Sequence, residues 1–180
     1  LGAVYAEVAD DISLPYDAWI SSLRWAGQYS GDGRQGAERG FWLRIYGDSN
    51  GVPGTLLYQQ FRQGYACEEA LDATIRYTYH GDLDVPFLMR AGQRYWFSIQ
   101  NEILPYSQWR LALTADPISG GQPCMRDSAT GAWAFTSARD VAVEIYGVAT
   151  NAGVLAGTVT AAHSGSPIGN AAIRATNATH

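Results

Sequence analysis

The sequence predicts an all-β protein, a β-sandwich with jelly-roll-like topology, and three observations carry that prediction. Short runs of alternating apolar and polar residues recur along the chain. Stretches with apolar residues at helical spacing are nearly absent, and clusters of Gly, Pro, Asn and Asp punctuate the runs. Together these describe many short strands with one buried face each, joined by tight turns.

Ala6 to Leu14 is the first such run and Ile20 to Gln28 the second. Phe41, Leu43 and Ile45 then alternate with Trp42, Arg44 and Tyr46, and Asp48 to Gly54, with its Asn-Gly and Pro-Gly, turns the chain into Thr55 to Phe61. Thr74 to His80 is the next run, followed by a turn predicted over Gly81 to Pro86. Tyr95, Phe97 and Ile99 alternate with Trp96, Ser98 and Gln100; Trp109 to Thr114 and Ala132 to Thr136 are shorter runs. Val141, Val143 and Ile145 alternate with Ala142, Glu144 and Tyr146 in the last. After Gly147 aromatics vanish and small residues dominate, so the chain divides into a sandwich over 1–148, a linker over 149–153 and a second unit over 154–180. The second unit offers two strands, too few to close a core, and reads as the truncated start of another β domain.

Composition narrows the function classes. All 12 basic residues are Arg against 17 acidic ones, for a net charge of -5, which opposes binding to nucleic acid. No apolar run is long enough to span a bilayer, which excludes membrane insertion by helices. Cys67 and Cys124 lie in no metal-ligand pattern. They are either buried thiols or a disulfide closing a long loop; the disulfide, worth about 4 kcal/mol in chain entropy, fits an extracellular protein and is the expectation.

Residues 5–147 carry a set of phrases in fixed order: AEVADDISLP, ISSLRWAGQYSGDG, FWLRIYGDSNGVPGTLLYQ, PFLMRAGQRYWFSIQN and DVAVEIYG. This order resembles a β-sandwich module that recurs in large secreted and surface-anchored bacterial proteins. Residues 153–180, with Gly157-Thr158-Val159, Gly165-Ser166-Pro167 and Ala172-Ile173, are similar to the opening of carboxypeptidase regulatory-like domains, which are small transthyretin-like sandwiches. The resemblance implies a modular secreted or cell-surface protein. It brings no catalytic residues with it.

Motifs that suggest chemistry fail on context. Gly31 to Gly36 matches GxGxxG, but too few residues follow for the helix a dinucleotide site needs. Gly47 to Gly51 matches GxSxG around Ser49, but Val52-Pro53-Gly54 follows where a nucleophile elbow requires a helix. His80, beside Gly81-Asp82, reads as a solvated turn residue. The carboxylate pairs Asp10/Asp11 and Glu68/Glu69 are adjacent on strands and face opposite ways, and these pairs and Asp82/Asp84 read as solvated edges or turns. Asp10 and Asp11 on the first strand and Asp140 at the start of the last are candidates to share a structural Ca²⁺, with exposed carboxylates as the alternative.

Aromatic residues carry the functional expectation. Six Trp and 11 Tyr exceed the need of one core, and alternation puts Trp42, Tyr46, Trp96 and Tyr146 opposite the apolar parity of their strands, together with Arg44, Arg94, Gln100 and Glu144. Trp133 and Tyr106 are loop aromatics. Flat rings beside hydrogen-bonding side chains suit sugar rings, so Trp42, Arg44, Tyr46, Trp96, Gln100, Trp133 and Tyr146 form a candidate glycan platform. The alternative is that these rings only cover a second face of the sandwich. The expected function is therefore a monomeric, non-catalytic accessory module that binds polysaccharide or cell-surface glycan alongside further domains of its parent chain. A structural or adhesive spacer is the competing expectation.

Overall fold

A computed structural model describes residues 7–29, 40–63, 68–71, 76–102, 109–114, 121–136 and 139–150. Cys67, the Gly31 to Gly36 loop, Tyr106 and the whole unit over 154–180 therefore lie outside the described residues.

The described residues contain 11 strands and no helix. In chain order these are β1 (Glu7–Ser13), β2 (Ala18–Tyr29), β3 (Phe41–Ser49), β4 (Val52–Arg62), β5 (Glu68–Leu71) and β6 (Arg76–Met89). They continue as β7 (Arg94–Asn101), β8 (Trp109–Leu111), β9 (Cys124–Arg126), β10 (Ala134–Phe135) and β11 (Val143–Ala149). One sheet has six strands in the order β10-β9-β1-β7-β3-β4; the other has five, with β11-β2-β6-β5 in order and β8 pairing β2. Every strand pair is antiparallel. The hairpins β3–β4 and β5–β6 stay within one sheet, whereas β1 to β2, β2 to β3, β4 to β5 and β6 to β7 each change sheets.

Alternation explains how the sheets meet. Phe41, Leu43, Ile45, Tyr95, Phe97 and Ile99 of the six-stranded sheet pack against Ile20, Leu23, Trp25, Tyr77 and Tyr79 of the five-stranded one. At the centre Trp25 stacks on Tyr79 at 5.6 Å and meets Phe41 edge-on at 5.3 Å. The β3–β4 hairpin turns at Asn50 and Gly51, whose φ angles of 55° and 84° are the positive values that a two-residue turn matching strand twist requires. Asp48 accepts the Gly51 N–H at 3.2 Å and closes it.

Two expectations change here. Gly81 to Pro86 is no turn: it lies inside β6, which runs on to Met89. Gly81 is present because its backbone lies against the Trp25 ring, where a Cβ would stand 3.2 Å from the indole. The pairing of β2 with β6 absorbs Leu83 to Pro86 through a register shift between Ile20 and Ser22. His80 is accordingly a half-buried strand residue that contacts Asp82 at 3.0 Å, not a solvated turn residue.

The expected disulfide is the other correction. Cys124 is a free, fully buried thiol on β9. It packs with Ala9, Tyr46 and Trp96 on the side of the six-stranded sheet that faces away from the five-stranded one, where the chain after Cys67 enters β5. Burial, with the negative charges of Asp11 and Asp10 nearby, pushes its thiol up to about 11. Iodoacetamide at pH 8 is expected to leave Cys124 unmodified in the folded protein and to label it only after denaturation, as read by peptide mapping.

Candidate functional site

The outer face of the six-stranded sheet carries most of the polar and aromatic residues opposite the core parity. The antiparallel registers align them: Trp42 stands beside Gln100 and Phe61, Arg44 beside Ser98 and Gln59, Tyr46 beside Trp96, and Glu7 beside Arg126. Side chains distant in sequence thereby share one surface.

Glu7 is the hub of that surface. Its side chain is fully buried, so its carboxylate must be satisfied by protein groups. One oxygen accepts from the Tyr46 hydroxyl and the Ser98 hydroxyl, each at 2.8 Å, and from Arg44 at 3.2 Å. The other accepts from two nitrogens of Arg126, Nε at 2.8 Å and Nη2 at 2.5 Å, in charge-assisted hydrogen bonds. Arg126 also donates to the Tyr46 hydroxyl at 2.9 Å and to the Ala129 carbonyl at 2.8 Å. Arg44 donates further to Gln100 at 2.7 Å and Gln59 at 2.9 Å. Burial, together with the negative Glu7 beside it, pushes the Tyr46 hydroxyl well above its ordinary range.

Aromatic rings close over this network. The Trp133 ring lies 4.6 Å from the Arg126 guanidinium and meets Tyr46 edge-on at 5.6 Å. Trp96 is fully buried, and its indole N–H donates to Asp48 at 2.9 Å, which ties the face to the β3–β4 hairpin. Trp42 is half-buried between the Arg44 guanidinium, 5.2 Å from its ring centroid, and Phe61, 5.1 Å away and 37% exposed.

The candidate platform thus divides into three. Tyr46, Trp96 and Gln100 are buried members of the network. Trp42, Arg44 and Trp133 retain partial exposure on the same face. Tyr146 is 43% exposed but belongs to the other sheet, where its hydroxyl donates to Glu144 beside Arg24. Glu7 and Arg126 are the residues that sequence reasoning missed. Parity sets Glu7 apart from Val8 and Ile12, but nothing local marks a carboxylate as buried.

Two of the three acidic residues proposed for calcium are otherwise engaged. Asp11 accepts the Gly121 N–H at 2.7 Å and pairs with Arg94 at 3.2 Å, while Asp10 accepts the N–H groups of Val141 at 2.9 Å and Asp11 at 3.0 Å. Asp140 is close enough to Asp10 to raise its proton affinity. Among the described residues no group of three or more His, Cys, Asp or Glu is arranged to hold a metal ion. Ser49 ends β3 at the hairpin, while Asp82 and Asp84 are exposed partners of His80 and Arg62. No protein-family model, no curated protein and no solved structure matches the chain.

Two outcomes follow from the electrostatics. Glu7→Gln keeps the side-chain shape but leaves Arg44 and Arg126 without their shared counter-charge, and is expected to cost about 3 kcal/mol in urea unfolding. Asp10 is raised from 3.8 to about 6, chiefly by burial. Its folded pKa lies above the unfolded one, so the stability it contributes is complete below pH 4 and is lost as pH rises through 6. The shift corresponds to roughly 2–3 kcal/mol. The thermal midpoint should fall between pH 4 and 7, and Asp10→Asn should flatten that slope.

Proposed function

We propose that the chain is a non-catalytic accessory module of a larger secreted bacterial protein and that it binds polysaccharide or cell-surface glycan on the outer face of the six-stranded sheet. The observation that carries this reading is the strip formed by Trp42, Phe61, Arg44 and Gln59. It combines an aromatic surface with polar groups whose positions are already set, since Arg44 is held at once by Glu7, Gln59 and Gln100. Fixed groups lose little entropy when a sugar docks, and rings with adjacent amide and guanidinium donors suit its apolar and hydroxyl faces. Linkage to further domains of the parent chain, as the resemblance of residues 153–180 implies, would add to retention through avidity.

A structural or adhesive spacer is the second reading, and it too has its observation. Tyr46 and Trp96 are 3% and 0% exposed, so much of the aromatic excess is spent on a second packed layer.

Native affinity electrophoresis against soluble plant, algal and bacterial polysaccharides separates the two. The binding reading predicts retardation by at least one class, weakened about tenfold in Trp42→Ala, which is roughly the loss of one stacking anchor of 1.4 kcal/mol. Tyr146→Ala should leave it unchanged. No retardation across the panel would contradict the binding reading and favour the spacer.

A further inference from the structure

The chain contains one Asn-Gly pair, Asn50-Gly51, and the structure places it at the tip of the β3–β4 hairpin. Such a pair can rearrange of its own accord, because glycine has no side chain to hinder the approach of its backbone nitrogen to the asparagine amide. Asn50 is exposed, and the space beside Gly51 is open: the nearest group to where a Cβ would stand is the Arg94 guanidinium, at 3.9 Å. Two features hold the pair unreacted. Cyclisation needs the Gly51 nitrogen, stripped of its proton, to reach Cγ of Asn50. That N–H is donated to one carboxylate oxygen of Asp48 at 3.2 Å, and a carboxylate beside the nitrogen opposes loss of its proton. The positive φ angles of 55° and 84° hold the backbone in its tight turn, so attack waits for the hairpin to open locally. The other carboxylate oxygen of Asp48 accepts the indole N–H of Trp96 at 2.9 Å. One side chain thus latches both the turn and the buried outer layer.

We propose that Asn50 is a modification site, converted to aspartate and isoaspartate at a rate gated by the Asp48 latch, and that its conversion releases Trp96 from the hairpin. The Gly51 nitrogen bonds to Cγ of Asn50 as the Cγ–Nδ2 bond breaks. The proton from Gly51 passes through solvent to Nδ2, which leaves as ammonia. Water then opens the cyclic imide. Cleavage between the nitrogen and Cγ gives aspartate, and cleavage between the nitrogen and the backbone carbonyl carbon gives isoaspartate. Either product adds a negative charge near Asp48. Isoaspartate also lengthens the turn by one backbone atom, which a two-residue hairpin of fixed register does not absorb. Neither step depends on glycan binding.

Incubation of the whole 180-residue chain at pH 8, with mass spectrometry of the peptide from Ile45 to Arg62, measures the conversion. It is expected to run about tenfold slower in the folded chain than in urea. Asp48→Asn keeps the side-chain shape but offers one acceptor oxygen to two donors, and should speed conversion about threefold in the folded chain and not in urea. Converted protein labelled with 5-fluorotryptophan, separated by its extra charge, should show at Trp96 a shift between H₂O and D₂O that unconverted protein lacks. Absence of conversion in the folded chain over about fifty denatured half-times, or conversion as fast as in urea, would overturn the gated site. An unchanged rate in Asp48→Asn would overturn the role of the latch, and an unshifted Trp96 in the converted protein would overturn its release.

Discussion

Two arginines, a tyrosine and a serine converge on one buried carboxylate, and the outer face of the six-stranded sheet depends on that convergence. Glu7 comes from β1, Tyr46 and Arg44 from β3, Ser98 from β7 and Arg126 from β9, so the network crosses four neighbouring strands. A buried ion pair is seldom a net gain over apolar packing, because desolvation offsets the attraction. What it supplies is specificity. Only one register satisfies every oxygen of Glu7 and donor of Arg126, and a slip of one residue on β1 would carry the carboxylate to the core side.

The same network explains the unusual two-sidedness of this sheet. Its inner face is the main core, and its outer face holds a smaller cluster of Ala9, Tyr46, Trp96 and Cys124 with Trp133 and Val52 against it. Polar and apolar elements of the outer layer are interlocked: Trp133 packs on the guanidinium that pairs with Glu7, and Trp96 bonds the aspartate that closes the hairpin. Trp42 and Phe61 stand at the margin of this layer, towards edge strand β4, held in place but incompletely covered. Rigid support beneath a partly exposed aromatic pair is what the proposed glycan face would require.

Much of the architecture is legible in the sequence because period-two alternation and turn chemistry are local. Phe41 to Tyr46 and Tyr95 to Gln100 show their two faces directly, and Asn50-Gly51 marks a hairpin on its own. What eludes a local reading is set by distant partners. Gly81 looks like a turn residue until Trp25 is placed against it, and β9 is a three-residue strand whose partner β1 lies far back in the chain. Glu7 and Arg126 are 119 residues apart, and neither carries a local sign that the other exists. The parity argument assigns Tyr46, Trp96 and Gln100 to the correct face but cannot tell that β9 and β10 extend the sheet beyond β1 and that Trp133 lies over that face.

The central claim is that this outer face is a buried layer with Trp42 at its accessible margin. Fluorine NMR of protein labelled with 5-fluorotryptophan reads all six indoles at once, and the shift between H₂O and D₂O reports solvent contact at each. The account predicts no solvent shift for Trp96, matching core Trp25, and a clear shift for Trp42 and Trp19. A solvent shift at Trp96 equal to that of Trp19 would mean that the layer over Glu7 does not exist as described.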